Sequence, residues 1–404
     1  MRITTREVCF GAPDETSAAY ENAYYLTGAG GEMVRVRVQE IGNDIYDLCR
    51  VSYSTDDGWT WSDDQPYQVS FAKPAGIVRK GTEFGWPVAG PRTGRLVALD
   101  TTSVLPTDDM LEALSYTFPT YRVSEDGGLT WLFEDRIIQH GGDDSGAYTA
   151  QHPMQSVWTG RNAVHFSNTP FFASSGKLVV PVQITRLNPD GALFCPPGAL
   201  SFHEMMVLIG SWCEGGRLSW EIGEKVIMEP DVSTRGAVEG AVAEMPDGRF
   251  LMVMRGSNAG NASLPGHKWY CISADGCRTW SAVRPWAYTD GTLFHSPSSY
   301  STIVPHSNGQ YYWVGNICEG NPDGNGPDYP VVIGVVDPDT CLLRRESVRE
   351  IDTYQQNDPA PVHLRNFGLY EERFTGDLVM RMTRLWVDTE GHMRGDAWLY
   401  RIAL

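Results

Sequence analysis

Six near-repeats of about seventy residues, a hairpin motif in register with them, and an almost complete lack of helical periodicity predict an all-β chain: a six-bladed β-propeller built from four-stranded antiparallel blades. Each repeat opens on a turn glycine followed at once by an apolar run: GGEMVRVRV from Gly30, TGRLVALD from Thr93, SGKLVVPVQI from Ser175, DGRFLMVMR from Asp247, NGQYYWVGN from Asn308 and TGDLVMRM from Thr375. By subtraction, Gly31, Gly94, Gly176, Gly248, Gly309 and Gly376 stand 63, 82, 72, 61 and 67 residues apart. A tight turn running straight into apolar residues is the pattern of a hairpin that feeds a buried strand. A repeat array grows by adding units, so residues 1–404 are expected to form a single propeller domain in spite of their length.

The second motif is S-x-D-x-G-x-T-W. Ser54-Thr-Asp-Asp-Gly-Trp-Thr-Trp61 and Ser124-Glu-Asp-Gly-Gly-Leu-Thr-Trp131 satisfy it throughout, and Ser273-Ala-Asp-Gly-Cys-Arg-Thr-Trp280 departs only at Cys277, where glycine is expected. A worn copy stands at Gly215-Gly-Arg-Leu-Ser-Trp220. In such a segment the aspartate accepts backbone hydrogen bonds, the glycine supplies φ > 0 and the tryptophan packs between sheets. Asp56, Asp126 and Asp275 are therefore expected to stabilise turns and to do no chemistry. The opening ITTREVCF and the closing DAWLYRIAL each read as a strand, so the last blade is expected to be closed by both termini in one sheet. A short helix is conceivable only around Asp108 to Leu114.

A formal charge of −18 repels phosphate backbones and anionic membrane surfaces, which excludes nucleic acid and lipid as expected partners. It does not set the charge inside a pocket, where a few arginines could still gather an anionic ligand. The start, MRITTREVCF, has no apolar signal-peptide core, so the chain as written is expected in the cytoplasm, or secreted with its leader removed. Eight scattered cysteines lack zinc-site spacing; they read as free thiols, with only Cys271 and Cys277 near enough to suggest a bridge. The sequence is silent on oligomeric state.

These repeated segments are Asp boxes, and through them the chain resembles the sialidase-like propeller superfamily along nearly its whole length. The resemblance implies chemistry on a glycan at one end of the propeller axis. In that superfamily a glutamate and an arginine lie one strand apart in a hairpin, the first activating a tyrosine nucleophile and the second binding the substrate carboxylate. Glu239 and Arg255, 16 residues apart around the Gly248 turn, fall in this relation. The rest of the implied set is missing: there is no arginine from Thr16 to Gly31 or from Gly291 to Gly309, and Asn366-Phe367 stand where the tyrosine is expected. Ordinary sialic acid hydrolysis is therefore not expected.

Other polar residues recur where blades should open onto the axis: Asp44 and Asp47 in blade one, Trp86 in blade two, His165 and Asn168 in blade three, His295 and Tyr300 in blade five, and His363 with Arg365 in blade six. Glu239, Asp44, His165 and Tyr300 form the candidate catalytic set. Arg255, His295, Arg365, Trp86 and Asn168 form the substrate-binding set, with the Trp86 indole available to stack on a sugar face. Three functions stay open. The first is a glycoside hydrolase acting on an atypical or non-sialic acidic glycan, with Glu239 and Asp44 or Asp47 as paired carboxylates. The second is a uronate lyase using His165, Tyr300 and Arg255, and the third a non-catalytic glycan-binding propeller. No metal or organic cofactor is expected; the loop Asn321-Pro-Asp-Gly-Asn-Gly-Pro-Asp328 has the composition of a structural calcium site without full EF-hand spacing.

Overall fold

The computed structural model describes residues 1–42, 45–67, 70–73, 76–80, 86–90, 94–105, 117–137, 163–190, 192–197, 199 and 201–404. Asp44 and the 108–114 segment lie outside them, and nothing is described of the Asp47 side chain. Six antiparallel sheets form the blades. In chain order the second strands, which carry the apolar runs, are Met33–Gly42, Leu96–Leu105, Leu178–Thr185, Phe250–Arg255, Tyr311–Asn316 and Leu378–Thr383. Each pairs on one side with a preceding strand of its repeat and on the other with a following one, which for Leu378–Thr383 is Ala397–Ala403, beyond the separate small hairpin of Trp386–Val387 and Met393–Arg394. The second blade carries an additional hairpin, Ser70–Lys73 and Gly76–Lys80, paired onto Leu96–Leu105.

Five of the six turn glycines take positive φ, between 65° and 84°, the conformation that a Cβ penalises. Gly31 is the exception. A Cβ there would come within 2.9 Å of the Asp57 carboxylate and 3.1 Å of its backbone nitrogen, so close approach explains this glycine.

The three S-x-D-x-x-x-T-W segments join third to fourth strands and share one hydrogen-bond pattern. Asp56, Asp126 and Asp275 accept from the backbone N–H of Thr60, Thr130 and Thr279 at 2.8, 2.9 and 3.0 Å, and from the same threonine hydroxyls at 2.6 Å. Ser54, Ser124 and Ser273 receive the N–H of Gly58, Gly128 and Cys277. Cys277 holds φ at +69°, where its counterparts are glycines at +81° and +89°. It is buried and unbridged, and none of the eight cysteines, Cys271 included, is in a disulfide.

Apolar clusters fill the spaces between successive blades, for example Leu99, Val123, Val180, Leu208 and Trp220 between the second and third. The closure is different. Arg2–Phe10 pairs with Ala397–Ala403 as the outermost strand of the sixth blade, as the termini led one to expect. Between that blade and the first, the apolar contact is small and a buried ion cluster takes over. Glu21 accepts from Arg37 Nε and Arg381 Nε, both at 2.7 Å, with the Glu21 and Arg381 side chains 1% and 2% exposed. Among the described residues no helix is long and apolar enough to cross a membrane.

Candidate functional site

Glu239 opens the inner strand Val238–Glu244 of the fourth blade, and the backbone there is irregular. A β-bulge interrupts the register between Val238 and Ala241, and Glu239 takes φ of +51°, unusual for a side chain of this size. The conformation is held from outside the strand: Gln183 of the third blade accepts the Glu239 N–H at 3.0 Å, and a Cβ on Gly240 would meet Met205 at 2.8 Å. Glu239 Oε1 lies 3.2 Å from Arg255 Nη2, while Oε2 is buried with no partner among the described residues. Arg255 ends the next strand, and its Nη1 donates to Ser298 O at 3.0 Å. Glutamate and arginine are thus brought together as the hairpin spacing predicts.

Positive charge collects beside this pair in an otherwise acidic protein. Lys268 stands directly opposite Arg255 in the sheet and is fully buried. Its ammonium donates to main-chain oxygens of Pro297 and Ser299. Burial first, and then the Arg255 charge, push the Lys268 ammonium down to about 7. The sequence reading missed Lys268; the one signal was a second cation at the strand end facing Arg255.

Asn168 of the third blade crosses to the others: its Nδ2 donates to Ser301 O at 2.8 Å and Glu239 O at 3.4 Å. Its Oδ1 accepts from the Tyr300 hydroxyl at 3.2 Å and from Thr302 at 3.1 Å. Tyr300 is buried against Phe367, and burial together with the Glu239 charge raises its phenol to about 12. His165 pairs in register with Gln183, and burial lowers its imidazole to about 4, so it is neutral at physiological pH. Its ring lies edge-on to His203, a buried imidazole absent from the sequence reading.

Glu239, Arg255, Tyr300 and Asn168 therefore share one connected network, and His165 adjoins it through its strand partner Gln183, whose side chain accepts the Glu239 N–H. His295 lies on the loop ahead of the fifth blade, its ring stacked 5.6 Å from His267. Arg365 precedes the sixth inner strand and reaches Asp328 at 3.5 Å. Trp86 stands apart, partly exposed and packed against the apolar cluster between the second and third blades. Polar groups of the 321–328 loop are engaged by protein: Asn321 Oδ1 accepts the Gly266 N–H at 2.7 Å, Gly324 N donates to Asn258 at 2.8 Å, and Asp328 pairs with His363. Among the described residues no group of three or more His, Cys, Asp or Glu is placed to hold a metal ion.

Comparison with solved structures places the fold in a known architecture. The chain superposes on a protein of unknown function from Dyadobacter fermentans with a TM-score of 0.61 and 14% identity, covering 100% of this chain and 99% of that one. It superposes on a Hadza microbial sialidase with a TM-score of 0.62 and 14% identity, covering 99% and 68%. For the Trypanosoma rangeli sialidase bound to the inhibitor DANA the values are 0.57 and 14%, covering 98% of this chain and 59% of that one. No family model matches the sequence, and no curated protein aligns with it. The class is thus a six-bladed propeller with the sialidase fold, and at these identities the likeness is one of fold.

Proposed function

We propose that the chain is a carbohydrate-active enzyme of the glycosidase type, acting on an anionic glycan bound beside Glu239 and Arg255. The observation that carries this reading is the Glu239 carboxylate. One oxygen lies against Arg255, the other has no partner among the described residues, and the residue is held at a strained, bulged start of an inner strand. Backbone strain of about 1–3 kcal/mol persists only where the surroundings impose it, and it concentrates at working sites. Arg255 supplies the positive charge that an acidic sugar requires, joined by Lys268 below about pH 7, and Tyr300, Asn168 and His165 supply hydrogen-bonding groups around it.

The carboxylate stabilises positive charge developing at the anomeric carbon, and the guanidinium anchors the anionic substituent. Neutral His165 and protonated Tyr300 would also serve as base and acid for β-elimination from a uronate, a reading that the product distinguishes. A panel of aryl glycosides and uronate- or sialate-bearing glycans should yield at least one substrate. Its product should lack the ultraviolet absorbance of a conjugated double bond, and Glu239→Gln should lower kcat/KM by about 100-fold or more. An absorbing unsaturated product would transfer the assignment to the lyase reading. Binding of an anionic glycan with no turnover of any panel member would reduce the protein to a lectin-like propeller.

A further inference from the structure

His363 and Asp328 form a dyad outside the residues assigned so far. His363 Nδ1 lies 3.0 and 3.1 Å from the two carboxylate oxygens of Asp328. The Asp328 side chain is 1% exposed while that of His363 is 31% exposed, and His363 Nε2 has no partner among the described residues. Arg365 reaches the same carboxylate at 3.5 Å. Buried Asn316 binds the two loops together: its Nδ2 donates to Asp328 O at 2.6 Å and to Leu364 O at 3.1 Å. A buried carboxylate on Nδ1 fixes the proton there, sets the ring plane and leaves Nε2 open to solvent, the division of labour of an oriented acid/base histidine.

The dyad stands at the working end of the propeller. Glu239 begins an inner strand and Arg255 ends the strand beside it. His363 occupies the corresponding end of the sixth blade: it precedes the inner strand Gly368–Glu371 and bridges Leu385, just past Leu378–Thr383. Four residues on, Phe367 packs on Tyr300, which joins Asn168 and so Glu239.

We propose that His363, oriented by Asp328, is the general acid/base of this site, in the part for which the sequence offered Asp44; the assignment rests on the glycosidase reading. The imidazolium gives its Nε2 proton to the glycosidic oxygen as the C–O bond breaks and the bonding pair stays on that oxygen. The alcohol departs, and the sugar carries the positive charge beside the Glu239 carboxylate. Water then forms the new bond to the anomeric carbon while neutral Nε2 takes its proton, which restores the imidazolium.

Two measurements on the full chain test the proposal. With the sugar identified by the panel, His363→Ala should cut kcat/KM about 100-fold or more for the methyl glycoside, whose leaving group needs a proton, but less than about 10-fold for the 2,4-dinitrophenyl glycoside. Equal losses on both, or none, would overturn the proposal; if Glu239→Gln still abolished turnover, the glycosidase reading would survive it. Independently of any substrate, nitrogen-15 NMR of labelled histidines, with His363→Gln to assign the ring, should show His363 protonated at Nδ1 and bare at Nε2 in alkaline solution. Asp328→Asn should abolish that single tautomer, whereas a proton found on Nε2 of the unmutated chain would refute the dyad.

Discussion

At Glu239 the backbone accepts a conformation that costs energy, and the neighbours that impose it come from another blade. Lys268 carries the second cost of the site, a buried ammonium facing main-chain oxygens with Arg255 beside it. Its ordinary value is 10.5 and the fold lowers it to about 7. Between those values the unfolded chain binds the proton and the folded chain does not, so the fold gains stability as pH rises from about 7 towards 10.5, and the gain is lost as pH falls through about 7. The urea midpoint of the unmutated chain, measured relative to Lys268→Met, should therefore climb from about pH 7 to about pH 9.5. A flat difference would mean that the ammonium is solvated. His165 works on the acid side: its stabilisation is present above 6.5 and lost as pH falls through about 4.

Among the elements, the terminal strand and the Glu21 cluster close the ring. The five apolar interfaces are filled largely by Leu, Val, Met and aromatic side chains, each buried one contributing about 1.5–3 kcal/mol. The closing interface instead spends buried charge, and breaking such a pair from one side costs about 3–5 kcal/mol because the partner is left uncompensated. Glu21→Ala should destabilise by that amount in denaturant titration, because buried Arg381 loses its carboxylate partner while Arg37 keeps Asp64; a loss under about 1 kcal/mol would show that water reaches the cluster. Deleting residues 1–10 should expose the edge of Ala397–Ala403, lower the melting temperature and promote association, read by light scattering during heating. An unchanged melting curve would mean that the sixth blade stands without its outer strand.

For the whole molecule, the repeat was legible because a propeller writes its period into turn glycines and apolar runs, and both follow local rules of φ and burial. Glu239 and Arg255 were legible for the same reason: a hairpin of known span places its two ends side by side. Lys268, His203 and Asp328 were not, since a buried charge in a strand and a carboxylate in a polar loop acquire meaning only from groups on neighbouring strands and blades. Asp328 shows this most clearly. Its loop has the composition of an ion site, yet the carboxylate is turned onto His363 and Arg365 of the next repeat. Trp86 was legible only as an indole at a strand start, which reads the same whether it lines a cavity or packs between sheets; here it packs on the cluster between two blades and stays partly exposed.

The sharpest test is a paired titration and turnover experiment on Glu239→Gln with the best anionic glycan of the panel. Retained binding, within about 10-fold of the unmutated chain, together with turnover reduced by about 100-fold or more is the expected result, since the amide keeps the shape and removes only the charge. Turnover unchanged by the substitution would contradict the assignment of Glu239 as the working carboxylate, and with it the placement of the chemistry at this end of the propeller.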